Sequence, residues 1–199
     1  MPIYKRFFII FGLAAALLIV SNLDFFRQNI LYTFFAPAPP AYKAKKINNN
    51  TVMMQPNLLV VPGLGIEAPV VYVDENSEQV FQKALVGGVV HYPNTAKPGE
   101  FGNCYIFGHS SDYFWSQGKY KTVFALLPRV QKGAEIVVSN QSGEKFTYIV
   151  MDSFSAEATD VKWLGQGDYT KKILTLQTSW PIGTALKRWI VRAELRQAD

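Results

Sequence analysis

The tightest constraint on this chain lies in residues 173–195. Ile173-Leu174-Thr175-Leu176-Gln177-Thr178 is an apolar, β-branched run ending at Ser179, Pro181 and Gly183 interrupt it, and a second such run, Trp189 to Leu195, opens just after Arg188. Two β-forming runs joined by a short Pro/Gly loop fold back as neighbouring strands, so Ser179 and Arg188 should face each other across the strand end. His109 follows another apolar run ending at Phe107. A histidine at a strand exit can reach a cleft, whereas a core histidine normally sits in mid-strand with a partner. A hydroxyl, an imidazole and a guanidinium could therefore share one cleft.

The pattern elsewhere is also mainly β. Short runs occur at Leu58 to Val61, Val70 to Val73, Cys104 to Phe107, Ile136 to Ser139 and Phe146 to Met151, separated by turn residues as in a barrel or sandwich. Two stretches read as helices: Ser77 to Leu85, with Ser77 as its cap, and Val123 to Val130. At the N-terminus Lys5-Arg6 precede an apolar run from Phe7 to Val20. No small-x-small cleavage site follows it directly, which favours an uncleaved anchor over a removed signal peptide. The expected organisation is a cytoplasmic tail over 1–6, a transmembrane signal-anchor over 7–26, a linker over 27–57 and a folded domain over 58–199. Lys5 and Arg6 favour an N-terminus inside and a domain outside. The linker contains Pro37, Pro39, Pro40 and the Asn48-Asn49-Asn50 run.

With 199 residues the chain suits one globular domain plus appendages. Its net charge of +5 comes from scattered basic residues, which argues against a nucleic-acid surface. The cluster Lys43, Lys45 and Lys46 suits a membrane surface or an anionic envelope instead. Cys104 is the single cysteine, so neither an internal disulfide nor a Cys-x-x-Cys metal site is available. It lies five residues before His109 on the same run, hence on the opposite face of an unbroken strand, and is expected to be buried. With His91 and His109 as the only histidines, no metal and no cofactor is expected.

The motifs also resemble those of a known family. Thr175-Leu176-Gln177-Thr178-Ser179, Arg188 on the following strand and Gly108-His109 are similar to the signature of the sortases, bacterial cysteine transpeptidases that cut cell-wall sorting signals. Val61-Pro62-Gly63-Leu64-Gly65-Ile66 looks like their first strand and turn. Gly88-Val89-Val90-His91-Tyr92-Pro93 through Asn103 looks like the segment before their catalytic histidine, and Val123 to Leu127 with Lys132 to Ile136 like the segment after it.

The resemblance implies a closed eight-stranded sortase-type β-barrel with short helices, preceded by the N-terminal membrane helix. It implies recognition of Leu-Pro-x-Thr-Gly-like signals on secreted or surface proteins. Cleavage between Thr and Gly would give an acyl-enzyme, and an amino acceptor (a peptidoglycan precursor or a pilin lysine) would take the acyl group. The domain would then be extracytoplasmic on a single-pass membrane protein. His109, Ser179 and Arg188 would be catalytic, and Thr178, Trp180, Trp163, Leu164 and His91 would meet the substrate. A backbone N–H at Trp180 is a candidate oxyanion donor, and Ala156, Val161, Trp163 and Leu164 lie in the specificity-determining segment. Tyr113, Phe114, Trp115 and Tyr120 either line a groove or pack their own loop down.

The departure is at the nucleophile, where the family has cysteine and this chain has Ser179. A thiol, with a reference pKa of about 8.5, supplies some thiolate near neutrality, whereas a serine hydroxyl needs an oriented base in the transition state. Ser–His chemistry usually has a carboxylate holding the imidazole, and no motif identifies one. The expectation is a sortase-type site impaired in acylation. The alternatives are a sorting-signal binding module without catalysis, and an anchored β-domain unrelated to sorting.

Overall fold

A computed structural model describes residues 2–21, 27, 30, 45–47, 51–112, 116–167 and 169–196. Eight strands close into one barrel: β3 (Leu58–Val61), β4 (Ile66–Tyr72), β5 (Val89–His91), β6 (Gly102–Phe107), β7 (Glu135–Ser139), β8 (Lys145–Glu157), β9 (Lys172–Trp180) and β10 (Lys187–Leu195). Around the barrel the order is β10-β8-β7-β3-β4-β5-β6-β9, and β9 pairs back onto β10. Closure removes the exposed edges that open sheets must protect. Two short strands, β1 (Lys45–Ile47) and β2 (Thr51–Met53), pair with each other ahead of it.

Alternation along the strands builds the interior. Cys104 and Ile106 on β6, Leu174 and Leu176 on β9 and Val191 on β10 point inward, where they join Leu59, Val61, Phe124 and Tyr148 in one buried cluster. Burial also pushes the Cys104 thiol far above its usual range, so it is an unreactive core residue. The intervening residues of β6 and β9, Tyr105, Phe107, Gln177 and Ser179, alternate to the outer face.

Except for Val73, one residue past β4, the sequence runs lie within these strands; absent from the reading are β1, β2, the three-residue β5, and β8 beyond Met151. The first helix is found as α2 (Glu78–Leu85), and the Ser77 hydroxyl accepts from the Val80 N–H. The second is corrected. Residues 123–130 form successive turns and a 3-10 segment, Leu127–Arg129. Their backbone bonds step back three residues, as from Ala125 N to Thr122 O and from Leu127 N to Phe124 O. Pro128 explains this, since its ring lacks an N–H and would clash with the Phe124 carbonyl in an α-helix.

The transmembrane expectation over 7–26 is also not met as it stands. The helix there, α1, runs Ile3–Ser21, and 22–26 fall outside the described residues. Among the described residues no helix is long and apolar enough to cross a membrane. The uncharged part after Lys5 and Arg6, Phe7 to Val20, rises only about 21 Å, against a hydrocarbon core of about 30 Å.

Within the stretch read as linker, Met54 is buried and its N–H bonds Gly143 O at 2.8 Å, while Ser139 Oγ donates to Gln55 O at 2.6 Å.

Candidate active site

β6 and β9 run parallel; β6 ends with Phe107 beside Gln177, and β9 continues to Trp180. β10 starts antiparallel to β9, and its register puts Arg188 directly opposite Ser179. The facing arrangement read from the sequence is therefore the register of this strand pair. Over this outer wall lies a cleft of about 320 Å³ that His109, Ser179 and Arg188 all line.

The strand exit carrying His109 is fixed on both sides. Gly108 N–H donates to Gln177 O at 3.1 Å, the buried Thr178 hydroxyl donates to Gly108 O at 2.8 Å, and Phe124 N–H donates to His109 O at 2.9 Å. A Cβ on Gly108 would sit 2.9 Å from the Phe124 ring and 3.0 Å from Val89, so only glycine admits this approach. A further bond, Gly183 N–H to Ser111 Oγ at 3.0 Å, ties the β9–β10 loop to the loop after His109.

Burial is the largest influence on the His109 ring and lowers its pKa, partly opposed by the carboxylates of Asp112 and Glu78. At neutral pH the imidazole is uncharged and can accept a proton. Among the described residues no hydrogen bond joins it to Ser179 or to a carboxylate. Arg188 Nη1 donates to the carbonyl oxygens of Ala185 and Lys187, each at 3.1 Å, which sets the stem of the side chain. Nε and Nη2 carry no such bond among the described residues, leaving donors for an oxyanion or a peptide carbonyl.

Thr178 and Leu164 also line the cleft, but three residues expected to meet the substrate do not. His91 is buried on β5, with Nε2 2.9 Å from Ala96 O and its ring 4.9 Å from that of Tyr72. The Trp163 ring lies 4.7 Å from that of Phe154, and Trp180 packs edge-on against Trp189 at 5.1 Å. Tyr113, Phe114 and Trp115 lie outside the described residues, and Tyr120 packs against the core.

The sequence reading named Val161 and Leu164 of the β8–β9 loop but missed the part played by α2. Phe81 and Leu85 of α2 line the cleft together with Val161, Leu164, Tyr92 and Phe107. The signal was the amphipathic spacing of Phe81 and Leu85, which gives no indication of which surface the helix covers. Val161 is 71% exposed, an apolar side chain left open at the cleft. The loop that carries it is held by a polar hub. Gln166 Oε1 accepts from the N–H groups of Ala96 and Asn103, and its Nε2 donates to the carbonyls of Asn103 and Leu164. The Asn103 amide donates to Trp163 O and Gly165 O and accepts from the Thr175 hydroxyl. Among the described residues no group of three or more His, Cys, Asp or Glu is arranged to hold a metal ion.

A family model described as a sortase domain matches residues 59–196. Among solved structures, the chain is similar to a sortase D5 transpeptidase of Clostridium perfringens, at 26% identity and a TM-score of 0.57 over 70% of this chain and 78% of that one. Sortase E of Streptomyces avermitilis aligns at 27% identity and a TM-score of 0.56 over 72% and 89%. Sortase C1 of Streptococcus suis is alike in fold, at 22% identity and a TM-score of 0.59 over 72% and 73%. No curated protein sequence matches the chain.

Proposed function

This chain belongs to the sortase family, and from that premise we propose that its cleft binds a Leu-Pro-x-Thr-Gly-like sorting signal with the Thr carbonyl held between Ser179 and Arg188. The observation that carries this reading is the shared cleft of His109, Ser179 and Arg188, with apolar walls from α2 and the β8–β9 loop. The family implies substrates bearing sorting signals and amino acceptors. In the proposed reaction Ser179 Oγ forms a bond to the Thr carbonyl carbon while its proton passes to the neutral His109 ring. The scissile C–N bond then breaks, and the imidazolium gives that proton to the leaving amine. Arg188 meets the oxygen as it gains negative charge. Val161, Leu164, Phe81 and Leu85 supply apolar surface for the Leu-Pro pair.

Acylation through Ser179 is slow on this reading, because among the described residues no base is hydrogen-bonded to its hydroxyl. The same observation favours a second reading, a sorting-signal binding module that does not cleave. Both readings require peptide capture in the cleft, and that is the test. The full chain is titrated with a labelled Leu-Pro-x-Thr-Gly peptide, beside Leu164→Arg. Binding that Leu164→Arg abolishes supports the cleft assignment; equal binding by both proteins overturns it.

Attachment to a membrane is part of the proposal. Phe7, Phe8, Ile10, Leu13 and Leu17 of α1 are each more than 60% exposed, and the preceding Lys5 and Arg6 suit anionic headgroups. The catalytic domain would then work at the cell surface, where sortases typically act.

A further inference from the structure

The cleft contains a carboxylate that the acylation step does not use. Glu78 stands in the first turn of α2 and lines the same cleft as His109 and Ser179. Its side chain is oriented, because Gln82 Nε2 donates to its Oε1 at 2.7 Å. The other carboxylate lining the cleft, Asp160, is matched by Lys162 Nζ at 2.7 Å. No ion pair matches Glu78 among the described residues. Arg188 supplies the positive end of the cleft on the Ser179 side, and Glu78 supplies negative potential on the helix side. Its field reaches the imidazole, where it favours the protonated form.

We propose that Glu78 holds the ammonium group of the incoming amino acceptor in the cleft it shares with His109, making the N-terminal end of α2 the side from which the acceptor enters. This rests on the acyl-transfer reading above. An α-amine or a lysine amine arrives near neutral pH largely as the cation, which a carboxylate attracts and a neutral substrate would not exploit. The ammonium gives one proton to the neutral His109 ring, and that proton goes on to solvent. The freed nitrogen then forms the new C–N bond to the acyl carbon as the C–Oγ bond to Ser179 breaks. A second proton passes from that nitrogen through the imidazole to Oγ, so the products are the amide and the free hydroxyl. When cysteine replaces Ser179 the balance is the same with sulfur.

The test uses the full chain carrying Ser179→Cys, with a Leu-Pro-x-Thr-Gly peptide as donor. It compares triglycine, whose amine is cationic, with hydroxylamine, which is mainly neutral at pH 7. Glu78→Gln is expected to raise the KM for triglycine about fivefold, the scale of one part-exposed ion pair, with less than a twofold change for hydroxylamine. Glu78→Asp should recover part of the loss. An equal rise for both acceptors, or no rise for triglycine, overturns the proposal. If Ser179→Cys forms no acyl-enzyme at all, the acyl-transfer reading fails first, and that failure appears before any acceptor is added.

Discussion

His109 lines the cleft, whereas His91 is buried on β5, and that burial has a measurable consequence. His91 is 4% exposed and bonded to Ala96 O, and burial lowers its pKa from the ordinary value despite that bond. The unfolded chain therefore takes up its proton first as pH falls through about 6.5, so the native state loses stability below that pH and keeps it above. His91→Gln should reduce this slope, measured as urea midpoints between pH 7 and pH 5. An unchanged slope would mean that His91 is not held neutral. The meeting of Ser179, Arg188 and His109 in one cleft was legible, because the two runs of 173–195 pair as read and His109 stands at a strand exit. The fates of Trp163, Trp180 and His91 were not, because each is decided by a neighbour distant in sequence, respectively Phe154, Trp189 and Ala96 with Tyr72.

At the level of elements, the cleft depends on two close fits. Gly108 lets the end of β6 lie against Phe124 and Val89. Gly108→Ala is expected to cost about 1–3 kcal/mol by overpacking, read from chemical denaturation, and to displace His109 with it. The β8–β9 loop hangs on Gln166, whose amide makes four hydrogen bonds to backbone groups. Gln166→Ala leaves part-buried donors and acceptors unpaired, at about 1–3 kcal/mol. In the Ser179→Cys protein it should raise the peptide KM more than it lowers kcat, since it loosens the wall carrying Val161 and Leu164. A normal KM would show that the hub does not govern the wall. Strands with a strong apolar period were readable from sequence. The three-residue β5 was too short to announce itself, and the segment over 123–130 looked helical because apolar content outweighed the single Pro128.

The whole molecule has a direction. The cleft lies where β6 and β9 finish and β10 begins, at the end where Lys187 pairs with Glu157. The chain enters the barrel at the other end, where Met54 N–H bonds Gly143 O beside the turn joining β7 to β8. An attachment at the N-terminus would therefore join the barrel at the end away from the cleft. Deleting residues 2–30 is expected to move the protein from the membrane to the soluble fraction while leaving the circular dichroism of the barrel unchanged. Retention in the membrane fraction would place the attachment elsewhere. Closure of the barrel could be anticipated only through the family resemblance, because composition and spacing allow a sandwich equally well.

On the proposed reading, a thiol in place of the Ser179 hydroxyl should restore acyl transfer, because it supplies some thiolate without an oriented base. The decisive measurement follows covalent adducts by intact mass, with cleavage of a fluorogenic Leu-Pro-x-Thr-Gly peptide, for the full chain, for Ser179→Cys and for Ser179→Cys with His109→Ala. An acyl adduct and cleavage at least about a hundredfold faster than in the unmodified chain are expected for Ser179→Cys, with loss of turnover when His109 is also removed. Equal rates in the unmodified chain and Ser179→Cys, or no adduct in any of the three, would contradict it.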